Sequence, residues 1–314
     1  MHANAMKTAS IIGTAGLIAA TGVTAPASYA STRDVLLTAG LADIHLGNGT
    51  ALIMGPGGWP VPGNTYLSSV DRLYLEPMGF TGNTVPVTYP LTNFFPNWDD
   101  RVDTEVASLV AAIKAQMASG DFNAENPLLI VGYSESAVAA GQAMQLLHDA
   151  GIPSDALHFI FVGDTASAHG GLLSSLLPSL SEWLREPVEQ LLQFMGLGNL
   201  LGVTTPNDLY PTDVFTIAGD AWAEWPKNPV SDLSTLVTTL TGLFVTHLEY
   251  LGLTPDQIAG VGADPSFTDG LTNYWTIPDT GINPLEALWN ASVNVGGVLD
   301  WFGPNGWLTL ADWG

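Results

Sequence analysis

The sequence predicts an α/β fold, a mostly parallel central sheet flanked by helices. Short apolar runs rich in branched side chains alternate with stretches of helical spacing, the order that places helices on both faces of a parallel sheet. Several runs end in glycine turns, and one passes through a sharp turn straight into a helix. Thr50-Ala51-Leu52-Ile53-Met54 reads as the first strand, running into Gly55-Pro56-Gly57-Gly58-Trp59-Pro60. Asn83 to Tyr89 is a second strand, placed near an edge because Pro86 has no N–H for a central ladder. From Asp99 to Ser119 the apolar residues Val102, Val106, Leu109, Val110, Ile113 and Met117 fall on one helical face. Leu128 to Val131 is the next strand, followed by a helix from about Ala137. Leu157 to Val162 and Asp213 to Ala218 are two further strands, ending at Gly163-Asp164 and Gly219-Asp220.

Between those last two strands lies a leucine-dense insertion, about Thr165 to Tyr210, at helical spacing. It reads as a helical subdomain packing on the core and as a lid whose apolar face shelters an acyl chain, two compatible roles. The tail from Asp264 to Gly314 is rich in Trp, Gly, Pro and Asn and shows neither a repeat nor a catalytic motif.

Residues 1–30 read as a signal peptide. Lys7 gives a thin positive region, Ala9 to Val23 an apolar one, and Ser28-Tyr29-Ala30 a small-x-small cleavage site before Ser31. Residues 31–314 suit one large domain. The chain has no cysteine, which excludes disulfides, a thiol nucleophile and thiolate metal sites. Its net charge of −23 argues against nucleic acid and anionic membrane surfaces as partners. Yet only 12 % of residues are charged, so the surface is largely uncharged and partly apolar, which fits peripheral association with a lipid-rich envelope.

The most informative stretch is Gly132-Tyr133-Ser134-Glu135-Ser136-Ala137, set between a buried strand and a helix. That setting makes a nucleophile elbow: the turn strains the serine and lifts its Oγ clear of the sheet at the helix N-terminus. Small residues are needed two positions either side, and Gly132 and Ser136 supply them. The expected fold is therefore the α/β-hydrolase fold, with Ser134 as nucleophile.

A serine nucleophile needs a base, and the base an orienting carboxylate, following in the order Ser, acid, His. His45 precedes the elbow, His148 sits near the end of the elbow helix, and His158 starts a strand. His169 lies in a loop but leaves little room for an intervening acid. His247, beyond every strand identified above, is preferred, with His169 as its rival. Asp220 is the preferred acid because it follows a strand on the sheet edge where Ser134 emerges. Asp164 has the same local setting one strand earlier, while Glu224 and Asp213 are weaker. The oxyanion hole would use the backbone N–H of Glu135 and one from the glycine loop, at Gly57 or Gly58.

Together these residues resemble the PE-PPE domain of mycobacterial and related actinobacterial proteins, a serine α/β-hydrolase group akin to cutinases. The resemblance runs from about Thr50 to Val261. It rests on Gly55-Pro56-Gly57-Gly58-Trp59-Pro60-Val61-Pro62, the Gly132 to Ala137 elbow, Gly163-Asp164 with Gly170-Gly171, and Gly219-Asp220 with Ala223-Glu224-Trp225-Pro226. It also rests on His247-Leu248-Glu249-Tyr250 with Leu253-Thr254-Pro255. It implies the triad Ser134, Asp220 and His247, and a Gly-x-Ser-x-Ser pattern that accounts for Ser136. The family often has Gln where this chain has Glu135, a carboxylate that opposes oxyanion charge unless it points away. The signal segment standing in place of a PE or PPE helical segment resembles the branch exported by itself and linked to envelope glycolipid acylation.

The expected function is an exported or envelope-associated serine hydrolase of acyl esters working through an acyl-enzyme. An acyltransferase serving trehalose-type glycolipids would use the same triad. A non-catalytic envelope binding protein on a hydrolase fold is the alternative of another class. Nothing in the sequence calls for a metal or organic cofactor.

Overall fold

The computed structural model describes residues 41, 44–90, 98–194, 196–229 and 231–295. The predicted signal peptide and the end of the tail lie outside them. An interior strand, β3 (Leu128–Tyr133), has all six residues buried. Such continuous apolar runs suit a strand covered by helices on each side. β1 (Thr50–Ile53) and β4 (Leu157–Val162) pair with it in parallel, and β5 (Thr212–Ile217) pairs with β4. β2 (Asn83–Pro86) adds to β1 as an edge strand, where Pro86 breaks no interior ladder.

The described tail departs from its featureless sequence reading. Thr272–Ile277 forms β7, parallel to β5 along its whole length, and Phe267–Asp269 forms a short antiparallel edge strand, β6. The sheet order is therefore β2-β1-β3-β4-β5-β7-β6, parallel except at β6. Thr272-Asn273-Tyr274-Trp275-Thr276-Ile277 is more polar than the continuous apolar runs of β3 and β4. Its β-branched and aromatic residues were nonetheless the available signal.

Alternation along each strand divides the core in two. On one face Ile53, Leu129, Val131, Ile160, Phe215 and Trp275 pack with Tyr66, of helix α1 (Asn64–Val70), and with Tyr74. On the other, Leu52, Leu128, Ile130, Phe159 and Phe161 meet helices α2 (Trp98–Ser119) and α3 (Glu135–Asp149) through Val102, Leu109, Ala140 and Met144. The predicted apolar face of α2 is borne out at Val102, Val106, Leu109 and Ile113, all buried. These layers and this strand order make the α/β-hydrolase fold that the sequence predicts.

The insertion forms two helices, α4 (Leu172–Ser179) and α5 (Glu182–Phe194). Leu173, Leu197 and Leu200 bury into the core on the α2 and α3 side. α5 has no buried residue and leaves Trp183 and Phe194 exposed. Downstream come α6 (Leu233–Phe244), a 3-10 turn at Thr246–Leu248, α7 (Pro255–Ala259) and α8 (Pro284–Asn294).

Candidate active site

Ser134 leaves β3 at φ 59° and ψ −118°, the only non-glycine residue with positive φ among the described residues. A side chain rarely tolerates that conformation, and such strain persists only where the surroundings over-determine it. The surroundings here are tight. A Cβ on Gly132 would lie 2.7 Å from the Ser136 carbonyl oxygen and 2.8 Å from Ala137 Cα, so strand and helix approach as closely as the sequence required. Ser136 does more than stay small. Its Oγ accepts from the Tyr133 N–H at 2.9 Å and donates to the Tyr133 carbonyl at 3.1 Å, tying helix to strand across the turn.

The structure brings the preferred residues together. His247 Nε2 lies 2.8 Å from Ser134 Oγ, and Nδ1 lies 2.9 Å and 3.1 Å from the two Asp220 oxygens. Asp220 is fully buried and cannot give up this hydrogen bond to water. Acting as acceptor, it fixes the proton on Nδ1 and leaves Nε2 free to accept from the serine. An imidazole held this way can take the Ser134 proton as Oγ attacks an electrophilic carbon.

Supports not foreseen from the sequence surround this chain. Tyr250 O–H donates to Asp220 Oδ2 at 2.6 Å and accepts the Ile217 N–H at 3.0 Å. The Trp222 N–H donates to Asp220 Oδ1 at 2.9 Å. Tyr133 O–H donates to the His247 carbonyl, holding the histidine backbone over the elbow. Burial, followed by the Asp220 charge, pushes both phenols well above their ordinary range, so they remain donors. Gly163 closes against the imidazole at φ +60°. A Cβ there would come within 3.2 Å of His247 Cε1. The signal for Tyr250 was its place three residues after His247.

The rival groups are used elsewhere. His169 pairs with Asp269 at 2.8 Å and packs against Phe267 and Tyr274. Asp164 accepts from the Ala166 N–H at 2.9 Å and Thr205 Oγ1 at 2.7 Å, stabilising a turn. Burial pushes its carboxyl up to about 6. Asp213 pairs with His158 at 2.6 Å and accepts from Trp275 Nε1 at 2.7 Å. Glu224 lies near the Gly219 N–H at 3.5 Å, away from the imidazole.

The glycine loop resolves the choice between Gly57 and Gly58 in part. Gly58 has φ +77° as the third residue of a turn closed by Trp59 N–H to the Pro56 carbonyl at 2.9 Å. Gly57 lines the cavity with Ser134 and Glu135, and a Cβ on it would sit 3.0 Å from the Glu135 carboxyl. The Glu135 carboxylate itself is buried against Arg101 of α2, which donates from Nε at 2.6 Å and from Nη2 to the second oxygen. Below it, burial and then the Glu135 charge raise Glu105 well above the ordinary carboxyl range.

The cavity beside Ser134 holds about 340 Å³, within the range of ligand pockets. Its walls are Trp59, Trp98, Trp222, Leu243, Phe244, Leu248, Leu251, Ala291 and Val295. None of the described residues from Thr165 to Tyr210 is among them, and the walls come from α6, α8 and their neighbours. Of that insertion's leucines, Leu173, Leu197 and Leu200 are buried in the core instead.

A model of the PE-PPE domain matches residues 81–293. The chain is 30 % identical to the esterase PE16 of Mycobacterium tuberculosis over 279 residues, covering 85 % of this chain and 49 % of that protein. It is 29 % identical to the PPE family protein PPE28 of the same organism, covering 76 % and 35 %. It thus spans half or less of the length of these curated relatives. Among solved structures, the RedJ thioesterase of Streptomyces coelicolor shares 14 % identity at a TM-score of 0.36, over 82 % of this chain and 85 % of that one. A cutinase-like protein from Cryptococcus sp. shares 14 % at a TM-score of 0.32, over 66 % and 96 %. At such scores the fold assignment rests on strand order and elbow, not on these neighbours. The family match encloses the elbow, Asp220 and His247 alike: this chain belongs to the PE-PPE domain family.

Proposed function

We propose that this protein is a serine hydrolase of acyl esters, with Ser134 as nucleophile, His247 as general base and acid, and Asp220 as its orienting carboxylate. The observation that carries this reading is the hydrogen-bonded chain from Ser134 Oγ through His247 to Asp220 beside an apolar cavity. Ser134 Oγ attacks the ester carbonyl carbon while its proton passes to Nε2. The oxyanion is met by backbone N–H groups at Glu135 and the Gly57 loop, and Asp220 stabilises the imidazolium. Collapse breaks the ester C–O bond, and His247 protonates the departing alcohol. Water then attacks the acyl-enzyme, giving its proton to His247, and the acid leaves as Ser134 recovers the proton. The apolar walls suit an acyl chain, each buried CH₂ contributing about 0.8 kcal/mol. The esterase name of a relative at 30 % identity supports the same reaction class. We further infer export through residues 1–30.

The test is turnover of p-nitrophenyl esters of graded acyl length, with and without a trehalose ester as acceptor. Acid release by the wild-type protein and its loss in Ser134→Ala support the hydrolase. Acyl trehalose formed in preference to free acid would make the protein an acyltransferase using the same groups. Absence of both products from the folded wild type would leave a binding protein on a hydrolase fold.

A further inference from the structure

The surface beside the cavity mouth carries an apolar stripe that extends beyond the cavity lining. On α6, Leu233, Val237, Leu240 and Phe244 are 44 to 76 % exposed, and their spacing puts them on one helical face. Leu248, 37 % exposed, extends the series past the helix end. No Asp, Glu, Lys or Arg occurs from Leu233 to Leu248, in a chain of net charge −23.

This face does not belong to a fraying helix. Asp232 caps α6 by accepting the Thr235 N–H at 2.8 Å. On the opposite side Gly242 presses on the Asp220 turn, where a Cβ would lie 2.3 Å from the Gly219 carbonyl oxygen. Trp222 Nε1 donates to the Leu243 carbonyl at 2.9 Å. The fold thus holds a row of large apolar side chains toward solvent, an arrangement that soluble surfaces avoid unless something covers it.

We propose that this stripe seats the protein on a lipid surface with uncharged or zwitterionic headgroups. The charge decides between surfaces: a strongly acidic protein is repelled by anionic headgroups, whereas the stripe presents nothing ionised. Phe244 and Leu248 decide between lipid and a second copy of the chain. Both line the Ser134 cavity and both reach the surface, so the apolar lining runs unbroken from cavity to stripe. A protein packed there would cover the mouth, while a lipid surface would leave acyl chains a dry path inward. That last step rests on the ester reading. The exposure, spacing and lack of charge do not.

The experiment is flotation of the full chain, carrying Ser134→Ala so that nothing is turned over, with phosphatidylcholine vesicles and with matched vesicles containing phosphatidylglycerol. Leu233→Glu with Val237→Glu changes two residues outside the cavity lining, and Trp183→Glu on α5 is the control for an exposed apolar residue elsewhere. The expected result is stronger binding to phosphatidylcholine than to the mixed vesicles, and at least about tenfold weaker partition for the double variant alone. With Ser134 restored, the double variant is expected to keep soluble-ester turnover within about twofold. Failure of the parent to float, equal flotation of the double variant, or an equal loss in Trp183→Glu would each overturn the proposal. So would a lipid-free dimer that the double variant dissociates, since the stripe would then join two copies. Binding is read without catalysis, so failure here is distinguishable from failure of the triad.

Discussion

Arg101 and Glu135 offer a sharp test of how the elbow tolerates a carboxylate next to its nucleophile. Both side chains are 2 % exposed and joined through two nitrogen–oxygen contacts. Replacing Arg101 with Met keeps the bulk and strands the Glu135 charge. Breaking a buried pair by removing one partner costs about 3–5 kcal/mol, out of a total stability of about 5–15 kcal/mol. The stranded carboxylate has an escape, because it can take up a proton. Raising a carboxyl from about 4.3 to a pH of 7 costs about 4 kcal/mol, which caps the loss at neutral pH. The raised carboxyl contributes stability present below its unfolded value and lost as pH rises. The loss relative to wild type is therefore expected to be small near pH 4 and about 3–4 kcal/mol near pH 7. Urea unfolding at both pH values measures it. Adding Glu135→Leu is expected to recover most of the loss, since no charge remains to strand. A loss under about 1 kcal/mol at pH 7, or one independent of pH, would refute the reasoning.

Ser134→Ala is expected to lower ester turnover about 10³-fold or more with an unchanged melting temperature, and near-normal turnover would remove Ser134 from the reaction. Tyr250→Phe takes a 2.6 Å donor from Asp220, which then holds the imidazolium more tightly. Its kcat/KM is expected to fall about tenfold and the acid limb of the pH profile to move upward, whereas an unmoved limb would reduce Tyr250 to a packing residue. Asp164, pushed up to about 6 by burial, contributes stability below pH 4 that is lost as pH rises to about 6. Asp164→Asn is expected to gain on wild type across that window in thermal unfolding, and a constant difference would contradict it. Ala291→Phe narrows the cavity and is expected to raise KM for long esters and not for acetate.

The proposed oxyanion site shows why these perturbations are coupled. A carboxylate on the residue after the nucleophile would oppose developing negative charge at short range. Arg101 pairs with it, and the Gly57 loop packs tightly over the pair, where an added Cβ would lie 3.0 Å from the carboxyl. The second carboxyl of that cluster, Glu105, is raised well above its ordinary range by burial and then by the Glu135 charge.

The central strands and the elbow were legible because their signals are local. A buried run, a small-x-Ser-x-small turn and a helical pattern each occupy under a dozen residues. β7 was not, since Asn273, Tyr274 and Trp275 blur its alternation and its partner β5 is distant in sequence. The acid was the harder choice. Asp164 and Asp220 both follow a glycine just past the end of a sheet strand, β4 and β5, and nothing local separates them. What separates them is tertiary: Thr205 and Ala166 occupy Asp164, while Tyr250, Trp222 and His247 converge on Asp220. Chain order pointed to His247, and Tyr250, three residues on, donates to the same Asp220. The leucines of the insertion misled for a related reason. An apolar helical pattern specifies burial but not the surface it is buried against, and here the buried leucines pack on α2 and α3 and not against the Ser134 cavity.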